Sequence, residues 1–143
     1  ENFFNIELIL NFFPNSKFIH TFRDTDDAII GIYQTMLPEL SWSHNLKHII
    51  SYIKIYKSTI EYFKKKYPNA IIDVDLSKLT NHKETEVKKI LEFCKIKYTK
   101  NFLSYEQNEK LFNKTNSFLQ VKEKIKSYRN NKYKSYYYLL DNF

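Results

Sequence analysis

The sequence is poor in the residues that build several common kinds of functional site. Its 143 residues contain one glycine, one cysteine and three prolines. A single glycine excludes a glycine-rich phosphate loop or a dinucleotide-binding fingerprint within this stretch, because such loops need several positions of tight turning or close backbone approach. A single cysteine excludes a disulfide framework and a cysteine-based zinc site, and we expect no metal. No apolar run approaches the roughly 20 residues that cross a bilayer, so we expect a soluble, cytoplasmic protein.

Arginine is also scarce, although the chain is basic. The 23 Lys and Arg residues against 16 Asp and Glu give a formal charge of +7, but only Arg23 and Arg129 are arginines. The lysines are spread along the chain, and lysine, asparagine, isoleucine, tyrosine and phenylalanine are abundant together, as in the product of an AT-rich coding sequence. This pattern favours a compositional origin of the charge over a nucleic-acid footprint. The hydrophobic fraction of 43% suffices for the core of one globular domain.

Strand and helix patterns alternate along the chain. β-rich runs predict a buried strand over residues 17–22 and a second strand over 70–74. Apolar spacing predicts helices over 5–13, from Thr25 to Met36, over 45–66, from about Asn81 to Cys94, and over 132–140. This alternation indicates an α/β fold with a parallel sheet. Because two strands make a poor sheet, we expect further strands outside this stretch.

Capping residues predict where two of the helices begin. Thr25 is expected to cap the second helix, with an inward face formed by Ile29, Ile32, Tyr33 and Met36. Asn81 and Glu84 form a capping-box signature for a later helix, with an inward face formed by Val87, Ile90, Leu91 and Cys94.

Arg23 follows directly after the first predicted strand. Ligands of open parallel sheets bind outside the carboxyl ends of the strands, and a guanidinium forks onto phosphate or sulfate oxygens. Asp24, Asp26 and Asp27 crowd the start of the next helix with negative charge, which disfavours a bare phosphate at that helix terminus. Two roles stay open for Arg23: an anion-binding residue that the acids hold in place, or a strand-end arginine paired with Asp24 or Asp26.

A second polar group lies between positions 114 and 122 and continues at Lys132. The hydroxyls of Thr115 and Ser117, together with lysines at 114, 122 and 132, would supply donors to a polyanion if the loop folds around one. A solvated surface loop is the alternative, and the residues alone favour it.

The order and spacing of these pieces resemble a known family. Residues 13–24, FPNSKFIHTFRD, look like the "FPNAKxIHxxRDPxD" segment of sulfotransferases that use 3′-phosphoadenosine 5′-phosphosulfate (PAPS), and Asp27 matches the second Asp of that motif. The similarity continues in order through 73–79 (DVDLSKL, where the family has "YExL"), 90–94 (ILEFC), 114–122 (KTNSFLQVK, similar to "TxSxxQVR") and the basic and aromatic residues 132–136. The tyrosylprotein and TPR-linked bacterial branches are the most similar.

This resemblance implies a P-loop-like sulfotransferase fold, a parallel sheet flanked by helices, with residues 1–143 as the C-terminal part of one domain. The first strand, the 5′-phosphosulfate loop and the catalytic base are then expected before Glu1. The implied reaction transfers a sulfuryl group from PAPS, the nucleotide co-substrate, to an acceptor hydroxyl or amine. This segment would supply the clamp for the 3′-phosphate and part of the transition-state shell, and would be inactive alone.

The resemblance also implies roles for individual residues. Arg23 would bind the 3′-phosphate and Lys132 would lie near it, while Gly31 stands where the family has a serine that shares this task. Ser117 corresponds to the serine that stabilises the transferring sulfuryl group. The same loop would be lined by Thr115, Gln120, Val121 and Lys122.

The alternative is a degenerate relative that kept the fold and lost activity: a non-catalytic basic module that binds nucleic acid or a protein partner. Gly31 favours this alternative, as does Leu76, which replaces the nucleotide-side tyrosine of "YExL". Arg23, Ser117 and Lys132 favour the enzyme, for which no nucleic-acid partner is expected.

The histidines and the single tryptophan are expected to be structural. His20 lies inside a predicted strand, where a histidine satisfied by a hydrogen bond is more common than a base. The other three histidines lack the spacing to bind a metal together with Cys94. Trp42 is expected to pack under a loop.

Overall fold

The structure, a computed structural model, describes residues 2–99 and 127–141. The chain divides into two compact units, one formed by Glu1–Asp75 with Arg129–Phe143 and the other by Leu76–Tyr128. The described helices and strands are α1 (Ile6–Phe12), β1 (Phe18–Phe22), α2 (Thr25–Thr35), α3 (Leu46–Lys66), β2 (Ile71–Asp75), α4 (Leu76–Asn81) and α5 (Lys83–Phe93). Short 3₁₀ helices cover Asn2–Asn5, Ser41–His44 and Lys134–Leu140.

The two strands pair in parallel, as the sequence predicts. The register runs from Phe18 opposite Ile71 to Phe22 opposite Asp75, so both strands end at the same edge of the sheet. The prediction that β1 is buried is wrong: Ile19 is 45% exposed, and no residue of β1 is fully buried. The exposure alternates along the strand: Phe18 and His20 are half-buried while Ile19 and Thr21 are exposed. The reason is that side chains of a strand point to opposite faces in turn, and the face with Ile19 and Thr21 is not covered by the described residues.

Helix α2 begins at Thr25, but the residue that caps it is Asp24. The Asp24 side chain accepts a hydrogen bond from the backbone N–H of Asp27 at 3.0 Å. The prediction of Thr25 as the cap is therefore wrong by one position. The Thr25 hydroxyl instead accepts a hydrogen bond from Lys57 Nζ at 2.6 Å.

The buried face of α2 differs from the predicted one. Ile29 is buried as predicted, but Tyr33 and Met36 are exposed. The residues of α2 that are buried are Asp27, Ile29, Ile30 and Gly31. The helix packs against both α3 and the 3₁₀ helix Lys134–Leu140, and this second neighbour covers a side of α2 that amphipathic spacing assigns to solvent.

Helix α3 supplies the core of the first unit. Asn45 caps it by accepting a hydrogen bond from the backbone N–H of His48 at 3.3 Å, and it ends at Lys66, two residues before Pro68. One core cluster of buried residues joins α3 to α1 and β2: Ile6, Leu10, Ile60, Phe63 and Ile71. The ring of Trp42 stacks on that of Tyr52, a residue of α3, with their centroids 4.0 Å apart. The tryptophan thus packs on a helix, whereas the sequence predicts packing under a loop.

The second unit contains a helix that the sequence pattern does not predict. Helix α4 continues directly from β2 and includes Asn81. The capping-box prediction at Asn81 is wrong, because His82 occupies the N-cap position of α5 and makes no side-chain cap bond. Glu84 pairs with Lys88 along α5 at 2.6 Å instead. On the predicted inward face of α5, Leu91 is buried while Cys94 is half-buried.

The last described segment is a 3₁₀ helix, Lys134–Leu140, which begins two residues after the predicted start at Lys132. It belongs to the same compact unit as β1 and α2. Over residues 2–99 and 127–141, no helix combines the length and the apolar character that crossing a membrane requires.

Candidate functional site

The carboxyl ends of β1 and β2 open into a pocket of about 630 Å³. This volume suits a small-molecule ligand, and the position is where open parallel sheets bind ligands. Helix α3 contributes apolar side chains such as Ile53 and Ile60. Charged and polar side chains complete the lining, among them His20, Arg23, Tyr56, Lys57 and Lys64.

Arg23 reaches this pocket from the residue directly after β1. Its guanidinium also lies against α2: a Cβ atom placed on Gly31 would stand 2.7 Å from Arg23 Nη2 and 3.4 Å from Tyr133 Cε2. A distance of 2.7 Å is shorter than real Cβ contacts. The missing side chain at Gly31 thus makes room for the arginine, at the position where the resembling family carries a serine.

The first turn of α2 holds the C-terminal segment through a buried carboxylate. Asp27 is 0% exposed, and its carboxylate accepts hydrogen bonds from the backbone N–H groups of Lys132 (3.0 Å) and Tyr133 (2.8 Å). The Tyr137 hydroxyl donates to Asp27 at 3.0 Å and lies 3.2 Å from Asp24 Oδ1. Burial and the two carboxylates raise the pKa of Tyr137, so it is a protonated donor at neutral pH.

These contacts bring together residues that are far apart in the sequence. Arg23 and Tyr133 both lie against Gly31, and the Lys132 backbone is hydrogen-bonded to Asp27. The Lys132 ammonium lies over the ring of Tyr133, 4.8 Å from its centroid. The structure therefore gathers three of the predicted site residues, Arg23, Gly31 and Lys132, around the first two turns of α2.

A hydrogen-bonded chain crosses the pocket wall beside Arg23. His20 Nδ1 lies 2.7 Å from Asp73 Oδ1, and His20 Nε2 is hydrogen-bonded to the Tyr56 hydroxyl. Lys64 Nζ donates to Asp73 Oδ2 and to Glu61 Oε1, both at 2.7 Å. The prediction of a hydrogen-bonded histidine at position 20 is confirmed, because both of its ring nitrogens are engaged.

The electrostatics of this chain follow from burial and charge pairing. Burial raises the pKa of Tyr56, and the neighbouring Asp73 carboxylate adds to the effect. Burial alone would raise the pKa of Asp73, but the hydrogen bonds from Lys64 and His20 outweigh it and hold that pKa below its usual value. Asp73 is thus ionised and Tyr56 neutral at physiological pH, which gives the wall fixed donors and acceptors.

The role of Asp27 is not predicted by the sequence. The acids after Arg23 were expected to hold that arginine in place, whereas Asp27 binds the backbone of residues 132–133. One signal was present: Asp27 lies three and four positions before Ile30 and Gly31, so it shares their helix face. No sequence signal identifies the partners, which follow it by 105 and 106 residues.

The other predicted site residues, Ser117, Thr115, Gln120, Val121 and Lys122, lie outside the described residues. No group of three or more His, Cys, Asp or Glu side chains suited to a metal occurs in the part of the chain that is described.

Comparison with known proteins bears on this site. A family model, described as the sulfotransferase family, matches residues 1–100. An uncharacterized protein of Aquifex aeolicus (strain VF5) is 29% identical over 128 residues, which cover 87% of this chain and 17% of that protein. The chain therefore spans a small part of the length of this relative. No solved structure matches the chain significantly. Arg23, Gly31 and Asp27 lie within the matched range, and Lys132 lies beyond it.

Proposed function

The chain belongs to the sulfotransferase family, and from this premise we propose its function. We propose that the protein takes part in the transfer of a sulfuryl group from PAPS to an acceptor hydroxyl or amine. Within that reaction, residues 1–143 act as the C-terminal part of the domain and bind the 3′-phosphate of the nucleotide. The observation that carries this proposal is the position of Arg23, at the carboxyl end of a parallel strand and on the wall of a ligand-sized pocket.

The chemistry of the donor explains why a cationic clamp is needed. The acceptor oxygen or nitrogen forms a bond to sulfur while the bond from sulfur to the 5′-phosphate oxygen breaks. The electron pair of that bond leaves with the phosphate, which gives adenosine 3′,5′-bisphosphate, and the acceptor proton passes to a base. Positioning of the nucleotide and neutralisation of spreading negative charge supply most of the catalysis in such transfers.

Two cations support the assignment of the 3′-phosphate to this end of the pocket. Arg23 offers a planar fork that matches phosphate oxygens, and its guanidinium lies at Gly31, where the family uses a serine for the same phosphate. Lys132 is tied to the same helix through its backbone. By the resemblance, Ser117 stabilises the transferring sulfuryl group, and the loop residues Thr115, Gln120, Val121 and Lys122 surround it.

Calorimetric titration of the full-length protein with adenosine 3′,5′-bisphosphate tests this function. We expect binding to the wild type and a loss of about 1.5 kcal/mol or more, roughly tenfold in affinity, in Arg23→Ala, because a charged hydrogen bond is removed. Lys54→Ala, at an exposed position of α3, is the control and should bind like the wild type. Equal affinity with and without Arg23 would overturn the assignment.

A further inference from the structure

Asp27 is a fully buried carboxylate whose partners come from a distant part of the chain. Aspartate is rarely buried completely unless it is paired, because an uncompensated charge in the interior is costly. Here the compensation includes two backbone N–H groups and one hydroxyl, all from residues 132–137. The buried charge thus joins α2 to this segment in particular.

The hydrogen bonds between Asp27 and residues 132–133 lie close to Arg23, the proposed anion-binding residue. Asp27 stands four residues after Arg23 and four before Gly31, on the first turns of α2. The Tyr133 ring lies against Gly31, as does the Arg23 guanidinium. The hydrogen bonds to the backbone at 132 and 133 therefore fix where this part of the chain lies relative to α2 and Arg23.

We propose that Asp27 is a positioning residue for the nucleotide site. Its carboxylate fixes the backbone of residues 132–133 so that Lys132 and Arg23, from opposite ends of the described chain, bind the same 3′-phosphate. This inference rests on the proposed function, since the phosphate it serves is that of the sulfuryl donor. Asp27 itself does not contact the phosphate.

A carboxylate is the group that this task requires. Oδ2 accepts the N–H of Lys132, and Oδ1 accepts both the N–H of Tyr133 and the Tyr137 hydroxyl. Both oxygens are used as acceptors. An asparagine has one acceptor oxygen and one NH₂ donor, so in either orientation it points a donor at an N–H group.

The first measurement is hydrogen exchange of the amides of Lys132 and Tyr133, which needs no nucleotide. We expect Asp27→Asn to speed the exchange of at least one of these amides tenfold or more, because an asparagine leaves one of the two N–H groups facing a donor. Asp26→Asn, an exposed aspartate in the same helical turn, is the matched control and should leave it unchanged. Unchanged exchange in Asp27→Asn would overturn the proposal.

The second measurement is a double-mutant cycle on affinity for adenosine 3′,5′-bisphosphate. In the wild type we expect Lys132→Ala to weaken binding about fivefold. In an Asp27→Asn background the same change should cost less than twofold, because Lys132 is no longer held in place. If Asp27 only stabilised the fold, Lys132→Ala would cost the same in both backgrounds, and that result would overturn the positioning role.

Tyr137→Phe provides a milder variant if Asp27→Asn does not fold. It removes one donor to Asp27 and leaves the two backbone bonds, so we expect the same changes with smaller size. Failure of the wild type to bind the nucleotide, with exchange still accelerated in the variants, would overturn the proposed function and leave the link between Asp27 and residues 132–133 established.

Discussion

The Arg23 guanidinium lies where a side chain at position 31 would stand. This contact explains why a glycine, which destabilises a helix, occupies that position. Glycine inside a helix costs about 0.5–1 kcal/mol relative to alanine, because it has more backbone freedom to lose on folding. Gly31 is nevertheless buried in α2. The space beside it is taken by the Arg23 guanidinium, 2.7 Å from where a Cβ would stand, so the absent side chain serves the position of the arginine.

A double-mutant cycle on stability tests this account. In an Arg23→Ala background, Gly31→Ala should raise the free energy of unfolding by about 0.5–1 kcal/mol, the usual gain for alanine in a helix. In the wild type the gain should be smaller, because the new Cβ displaces the guanidinium. Urea unfolding of the four proteins gives the coupling energy directly.

Gln34→Ala, at an exposed position one turn further along α2, serves as the control and should behave alike in both backgrounds. The same gain at Gly31 with and without the arginine would show that the guanidinium does not occupy this space in solution.

Single residues also show what the sequence can predict about the site. The position of Arg23 on the pocket wall could be predicted, because a strand end followed by a helix start places it where open parallel sheets bind ligands. A nucleotide-binding role for Gly31 rests on its spacing in a resembling motif and stays a prediction. The partners of His20 could not be identified. Asp73 lies on the neighbouring strand and Tyr56 on α3, so the pairing depends on strand register and helix packing, which single-sequence patterns do not encode.

At the scale of elements, Asp24 at the start of α2 both caps the helix and contacts the C-terminal segment. The Asp24 side chain caps the helix through the Asp27 N–H and also lies within hydrogen-bond distance of the Tyr137 hydroxyl. Thr25, the residue that the sequence pattern favours as the cap, has a hydroxyl that accepts from the exposed Lys57 instead. Both residue types are good caps, and the backbone, not the side-chain type, decides between them.

We therefore expect the two alanine substitutions to differ. Asp24→Ala should lower the free energy of unfolding by about 1–2 kcal/mol, since removal of a helix cap costs about this much. Thr25→Ala should lower it by less than about 0.5 kcal/mol, as exposed side-chain contacts contribute little. Thermal or urea denaturation of both variants measures the difference, and a larger loss at Thr25 would place the cap where the sequence pattern predicts it.

Regular elements were predictable to the extent that local signals mark them. The apolar spacing of α3 and the proline that follows it are local, and both strands lie within one residue of their predicted bounds. Helix α4 has only six residues and begins directly after β2, so no break in the chain marks its start. The exposure of β1 side chains depends on what packs on each face of the strand, which the residues of the strand itself do not specify.

For the molecule as a whole, the charge of +7 means that the salt dependence of binding can distinguish the proposed function from nucleic-acid binding. Nucleic-acid binding by dispersed lysines releases many counterions, and the affinity then falls steeply with salt. Binding of a single nucleotide through Arg23 and Lys132 involves few charges. The two activities therefore differ in how their affinities depend on ionic strength.

We expect single-stranded RNA to bind measurably only at low salt, with a slope of log affinity against log salt several times that for adenosine 3′,5′-bisphosphate. Fluorescence titration with RNA and calorimetry with the nucleotide, over about 50 to 200 mM salt, measure the two slopes. RNA binding that persists at the upper concentration, with no nucleotide binding, would favour a non-catalytic basic module.

The link between Asp27 and residues 132–133 also has a consequence in time. The two amide partners follow the carboxylate by 105 and 106 residues, and a ribosome adds roughly 5–20 residues per second. About 5 to 20 seconds therefore pass during which α2 exists without those partners. If Arg23 and Lys132 bind one phosphate as proposed, the site is a late product of translation, complete only after Lys132 leaves the exit tunnel.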